Sequence, residues 1–131
     1  MAGVTRREIG AWGEAIAARH LEVRGCRILV RNWRPPRGSR VRGEIDIVAS
    51  QESRLLFVEV RTRRGDAYGE PEESIAPRKY AALVAAAEAY LTYELDSAAR
   101  DVCDWRIDLI AIRLDARNAV QRMDHIEGLG A

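Results

Sequence analysis

The chain has 131 residues, 47% hydrophobic and 31% charged, with a formal net charge of +1. That is one domain's length at roughly 100–200 residues per domain, apolar enough for a core and too apolar for a disordered chain. Its longest apolar runs fall short of the ~18 residues that cross a bilayer, the opening MAGVTRREIGAWGE has no signal-type apolar stretch, and Cys26 and Cys103 make no disulfide framework or thiolate cluster. Membrane-spanning proteins, secreted miniproteins and thiolate-zinc modules are therefore excluded, and a cytoplasmic protein with two free thiols is expected.

The first periodic stretch runs from Thr5 to Arg24, with a capping box at Thr5 and Glu8 and a stop at Gly25. Ile9, Gly13, Ile16, Ala17, His20 and Leu21 fall at helical spacing and form its buried stripe. Cys26–Trp33 reads as a strand, followed by a loop around Pro35, Pro36, Gly38 and Ser39. Two more strands, Arg42–Ala49 and Arg54–Thr62, flank a short polar segment and form an antiparallel hairpin. After a loop containing Gly and Glu, a helix runs from Pro77 to about Leu95, with Tyr80, Leu83, Val84, Ala87, Tyr90 and Leu91 on its apolar side. Trp105–Leu114 is a strong fourth strand and Val120–Ile126 a weaker fifth. The order is that of a single α/β domain, residues 1–131, with helices covering both faces of a central sheet.

The hairpin carries the most informative residues. A loop at Gln51–Arg54 sets Ser50 against Leu55, which places Asp46 opposite Glu59 and Glu44 opposite Arg61. Alternation then puts Glu44, Asp46, Val48, Leu55, Phe57, Glu59 and Arg61 on one face, and Ile45, Ile47, Ala49, Leu56, Val58 and Val60 on the other. Facing carboxylates repel, and burial makes this worse, so something positive must compensate. Arg61 can do so in an ordinary cross-strand salt-bridge ladder. A hard divalent cation can do so as well, since Mg²⁺ takes one or two carboxylates and fills its shell with water and phosphate oxygens.

GEIDIVA, LLFVEVRTR and SIAPRKYAAL, preceded by GAWGEAIAARHLEVRG and ILVRNWR, resemble the YraN-type family of small bacterial proteins. These are similar to Holliday-junction resolvases and share the fold of the PD-(D/E)XK, restriction-endonuclease-like nucleases. The match runs from about Ile9 to Ile126 and implies an αβββαβ core with a mixed sheet, in line with the order read from the residues. It implies a DNA endonuclease using Mg²⁺ or Mn²⁺, acting on branched or damaged DNA, and working as a homodimer. Asp46 then takes the place of the motif Asp, and Glu59 that of the (D/E), both as metal ligands. Glu14 takes the place of an additional acid near the metal, and Glu44 belongs to the GE(I/L)D signature. Arg61 stands where the motif has lysine; arginine stays protonated, so it stabilises phosphate charge but does not serve as a base.

The charge is unevenly spread. Residues 1–42 hold ten arginines against three glutamates, a net +7, while residues 65–131 hold seven basic and thirteen acidic side chains, a net −6. Lys79 is the one lysine among 21 basic residues. Arg31, Arg34, Arg37, Arg40 and Arg42, around Trp33, are expected to grip a nucleic-acid backbone, with Trp33 stacking on a base. Thr62, Arg63 and Arg64 continue from the carboxylate strand and are candidates for phosphate contact. Arg78 and Lys79 sit in a helix's first turn, where basic charge opposes the dipole, and Lys79 is assigned to anion binding. His20 and His125 are far apart in sequence and are assigned to packing, and Asp108 to a pairing with Arg106 or Arg113. The alternatives to a nuclease are a non-catalytic nucleic-acid-binding protein of the same fold and a module docking an acidic protein.

Overall fold

The computed structural model describes residues 3–65 and 75–130. Helix α1 (Arg6–Val23) leads into three strands, β1 (Arg27–Trp33), β2 (Ile45–Gln51) and β3 (Arg54–Arg64). Helices α2 (Pro77–Glu94) and α3 (Ser97–Val102) follow, then β4 (Asp104–Leu114) and β5 (Val120–Ile126). The strands form one sheet in sequence order, with β3 and β4 parallel and every other neighbouring pair antiparallel. This is the expected mixed α/β sheet. Residues 66–74 of the loop before α2, including Ser74 of the SIAPRKYAAL motif, lie outside the described residues.

The α1 start is set by Thr5, whose hydroxyl accepts from the Glu8 amide at 3.1 Å, and its end by Gly25 at φ +90°. The hairpin register is the expected one: Ser50 pairs with Leu55 and Gln51 with Arg54, so Glu52 and Ser53 form the tip. A parallel β3–β4 pair needs a crossover, and α2 and α3 supply it. α3 was not expected from sequence; its six residues include none that is buried, so it carries no apolar period to read. Asp96 starts it by accepting from the Ala99 amide at 2.8 Å.

Two apolar layers flank the sheet. Ala17, Ala18 and Leu21 of α1 pack on Ile47, Ala49, Leu56, Val58, Ile110, Ile112 and Leu114. Leu83, Ala86, Ala87 and Tyr90 of α2 pack on the opposite face, on Val48, Leu55, Phe57 and Ile107. Ile45 departs from the expected alternation: it packs in the α2 layer beside Trp33, its partner on β1, and not with Ile47. The cause is local, since the β2–β3 ladder ends at Ile47–Val58 and β2 stays paired only with β1 beyond it. Among the described residues no helix is long and apolar enough to cross a membrane.

α1 crosses β3 at Gly13, where a Cβ would overlap the Thr62 side chain. Glycine here serves close approach, because no methyl fits between helix and strand. Gly13→Ala should therefore lower stability by about 1–3 kcal/mol, measured by urea unfolding. An unchanged midpoint would mean that α1 does not lie this close to β3.

Candidate functional site

The site forms where β2 parts from β3. Continuing the hairpin register by one step sets Asp46 against Glu59, but the Val60 amide there donates to Asp46 Oδ2 at 2.8 Å. A side chain thus takes the hydrogen that an extended ladder would give to backbone, and the two strands can separate without orphaning a donor. The carboxyls of Asp46 and Glu59 are neighbours close enough for the charge of Glu59 to raise the Asp46 pKa. Glu59 is 7% exposed, and its Oε2 lies 3.3 Å from Nζ of Lys79 at the start of α2.

Burial pushes the Asp46 carboxyl up to about 8; the Val60 amide opposes this, while the negative charges of Glu59 and Glu14 add to it. Glu14 enters from α1, directly after the glycine that lets the helix approach. Desolvation raises its pKa, against a hydrogen bond from Asn32 and the charge of Arg31, with Glu44 and Glu59 adding to the rise. Glu14, Glu44, Asp46 and Glu59 therefore share one electrostatic neighbourhood. Asn32 was missed by sequence reading. It adopts φ +55° inside β1, a left-handed conformation asparagine tolerates better than most residues, and no hydrophobic pattern marks it.

Glu44 does not pair with Arg61 across the hairpin. It precedes β2 and accepts from Arg34 instead, at 3.0 Å from Nε and 2.9 Å from a terminal nitrogen. Arg31 lies 3.9 Å from Glu14. Arg37, Arg40 and Arg42 are exposed on the β1–β2 connection. A cavity of about 440 Å³ is lined by Arg34, Pro35, Val41, Arg42, Gly43 and Glu44. Arg61 and Thr62 are half-buried on β3, while Arg63 and Arg64 are exposed at its end, Arg64 donating to the Ala116 carbonyl at 2.8 Å. Trp33 is no stacking platform: it is buried, edge-on to Tyr90, and its indole N–H donates to Glu94 at 3.0 Å.

A second polar cluster lies under the C-terminal end of α1. The rings of His20 and His125, 105 positions apart, meet at 3.0 Å between Nε2 and Nδ1. His125 Nε2 lies 2.8 Å from Asp108, which also accepts from Arg106 Nε at 2.9 Å and the Gly128 amide at 3.0 Å. The expected Arg106–Asp108 pairing is present, whereas the contact between the histidines had no signal in sequence. With the carboxylate accepting from His125 Nε2, a neutral His125 accepts at Nδ1 from His20 Nε2, and a protonated one donates there. Burial opposes ionisation of Asp108, but His125, the Gly128 amide and Arg106 outweigh it and hold the pKa below the usual value.

A five-stranded mixed sheet between helices makes this an α/β protein, an architecture consistent with a nuclease-like core. The chain belongs to uncharacterised protein family UPF0102, whose model matches residues 13–112. It is 44% identical to a UPF0102 protein of Roseiflexus castenholzii over 92% of this chain and 91% of that one. Against the Beutenbergia cavernae relative it is 42% identical over 93% and 95% of the two chains, and against that of Mycobacterium avium 38% over 97% and 93%. The matched span contains Glu14, Asp46, Glu59, Arg61 and Lys79.

Two pH effects follow from these environments. Between the ordinary Asp value of 3.8 and about 8, folded Asp46 holds a proton that the unfolded chain releases, so stability falls as pH rises through that window. Asp46→Asn keeps an acceptor for the Val60 amide, and in chelator it should raise the unfolding midpoint more at pH 8 than at pH 5. A gain independent of pH would contradict the environment described. His20 is shifted down by burial, then by His125 and Arg24, so its contribution is whole above 6.5 and is lost as pH falls through its lowered folded value. Thermal unfolding between pH 5 and 7.5 should show this loss, and His20→Gln should reduce the slope.

Proposed function

We propose that the protein is a divalent-metal-dependent phosphodiesterase acting on nucleic acid, with DNA of branched or damaged structure as the substrate class. The observation that carries this is the Asp46–Glu59 pair at the parting of β2 and β3: Asp46 takes the Val60 amide at 2.8 Å, Glu59 is 7% exposed, and burial together with the charge of Glu59 raises the Asp46 pKa. Such a pair gains most from a cation. Among the described residues no three His, Cys, Asp or Glu side chains converge to hold a metal ion, so an all-protein cage of the structural-zinc type does not fit. Mg²⁺ or Mn²⁺ does fit, because two hard oxygen ligands suffice when water and substrate phosphate complete the shell.

Asp46 and Glu59 would hold the ion, with Glu14 adding negative charge beside them. When bound, the ion supplies polarisation of the phosphate and a water of lowered pKa. Arg61 would meet the charge that builds on the phosphate. Arg34 and Arg42, on the walls of the neighbouring cavity, together with Arg37, Arg40, Arg63 and Arg64, would hold flanking phosphates. A second copy of the chain would present a second site to the opposite strand of a branched substrate. Residues 34–42 contain four arginines and no acid, so binding through them should weaken steeply with salt.

The test is cleavage of linear, single-stranded and four-way-junction DNA in Mg²⁺ or Mn²⁺. Asp46→Ala and Glu59→Ala should each cost at least about 100-fold in rate. Cleavage that survives both substitutions would remove the site assignment. A second reading, a binding protein without catalysis, is favoured by arginine at position 61. Tight, salt-sensitive binding with no cleavage in either metal would select it.

A further inference from the structure

We propose that Lys79, entering from α2, is the positioning lysine of the carboxylate site and fills the role left open on β3 by Arg61. The inference rests on the phosphodiesterase reading of the site. Lys79 is the chain's one lysine, against twenty arginines, and its ammonium stands 3.3 Å from Glu59 Oε2. Lysine and arginine are not equivalent there. An ammonium is a compact point charge with rotatable donors, able to serve a carboxylate and a water together, whereas a guanidinium is a rigid planar fork.

The burial of the two partners supports this role. The Glu59 side chain is 9% exposed and that of Lys79 45%, so the ion pair runs from the interior to the surface where substrate must arrive. The backbone fixes the approach as well. Pro77 opens α2, and the Tyr80 amide donates to the Ala76 carbonyl at 2.9 Å, closing the turn that contains Lys79. That first turn has no acidic residue, so Lys79 finds its carboxylate across the site on β3. Lys79 acts through Glu59: it fixes the orientation of one carboxylate oxygen and offers further N–H groups to the attacking water. A positive charge so near a metal ligand must also weaken metal binding.

The experiment measures kcat and KM on four-way-junction DNA and Mn²⁺ affinity from the free-ion electron paramagnetic resonance signal. It uses the full chain and the variants Lys79→Met, Lys79→Arg and Lys79→Met with Arg61→Lys. Lys79→Met should lower kcat by about 100-fold with KM nearly unchanged, and should tighten Mn²⁺ by about tenfold. Lys79→Arg, which keeps an ion pair to Glu59, should not restore kcat; the double variant, with lysine on β3, should recover most of it. Unchanged kcat in Lys79→Met, or unchanged or weaker Mn²⁺ binding, overturns the role of Lys79 while leaving the nuclease reading intact. Recovery by Lys79→Arg but not by the double variant reduces Lys79 to a structural ion pair and also overturns it. Absence of cleavage by the unsubstituted chain in either metal instead overturns the phosphodiesterase reading itself.

Discussion

The hydrogen bond from the Val60 amide to Asp46 decides the architecture of the site. Antiparallel strands that separate normally leave unpaired amides facing away from water, at a cost of about 1–3 kcal/mol each. Here the carboxylate of Asp46 takes the amide of Val60 at 2.8 Å, so β2 leaves β3 without that penalty. β3 continues to Arg64 with β4 as its parallel partner, and β2 keeps β1 as far as the Ile45–Trp33 pair. The gap between the two strands holds Asp46 and Glu59 close together, half inside the protein. One residue thus both terminates a ladder and supplies half of the carboxyl pair.

Bringing the charge of a third acid to bear on that gap goes with a close approach of α1 to the sheet. Gly13 permits the approach, being buried against Thr62 with no room for a Cβ. Glu14 follows in sequence and is held by Asn32 and Arg31 from β1. The left-handed backbone of Asn32 is therefore tied to the site through the side chain it directs at Glu14. A helix, three neighbouring strands and the first turn of α2 each contribute. Their convergence is a property of tertiary packing, and each contact removes water from the others.

Local chemistry made much of this legible in the sequence. Alternation and the polar hairpin tip gave the β2–β3 register, and with it the meeting of Asp46 and Glu59, because a one-residue slip would put charge into the α1 layer. Thr5, Gly25 and Pro77 marked helix ends through capping and backbone geometry that depend on near neighbours alone. What sequence could not carry was anything set by distant packing. Ile45 changed layers because its only strand partner is β1; Glu44 went to Arg34 because the ladder had already ended. Trp33 sits among arginines in sequence but turns inward to Tyr90 and Glu94. Lys79 looked like an exposed anion binder, since its carboxylate is twenty residues away and on another element. The His20–His125 contact spans 105 positions and involves no motif.

Two aspartates on this sheet show how environment drives the same side chain in opposite directions. Asp108 is fully buried, yet its pKa is depressed, because a histidine, an arginine and an amide converge on its two oxygens. Its charge is balanced within the chain, and protonating it would break those bonds. Asp46 keeps some surface exposure, yet its pKa is raised, first by desolvation and then by two neighbouring acids, with one amide opposing them. Among the described contacts its one hydrogen-bond donor is the Val60 amide. A carboxylate whose partners are all supplied contributes to stability and asks for nothing more, whereas one held in deficit gains free energy from any cation that reaches it. The overall +1 conceals this difference as it conceals the basic first third of the chain. The acids around Asp46 and the arginines of the β1–β2 connection meet at Glu44, which accepts from Arg34 and adds to the charge felt by Glu14; under the phosphodiesterase proposal, a phosphate bridged by a cation would complete that arrangement.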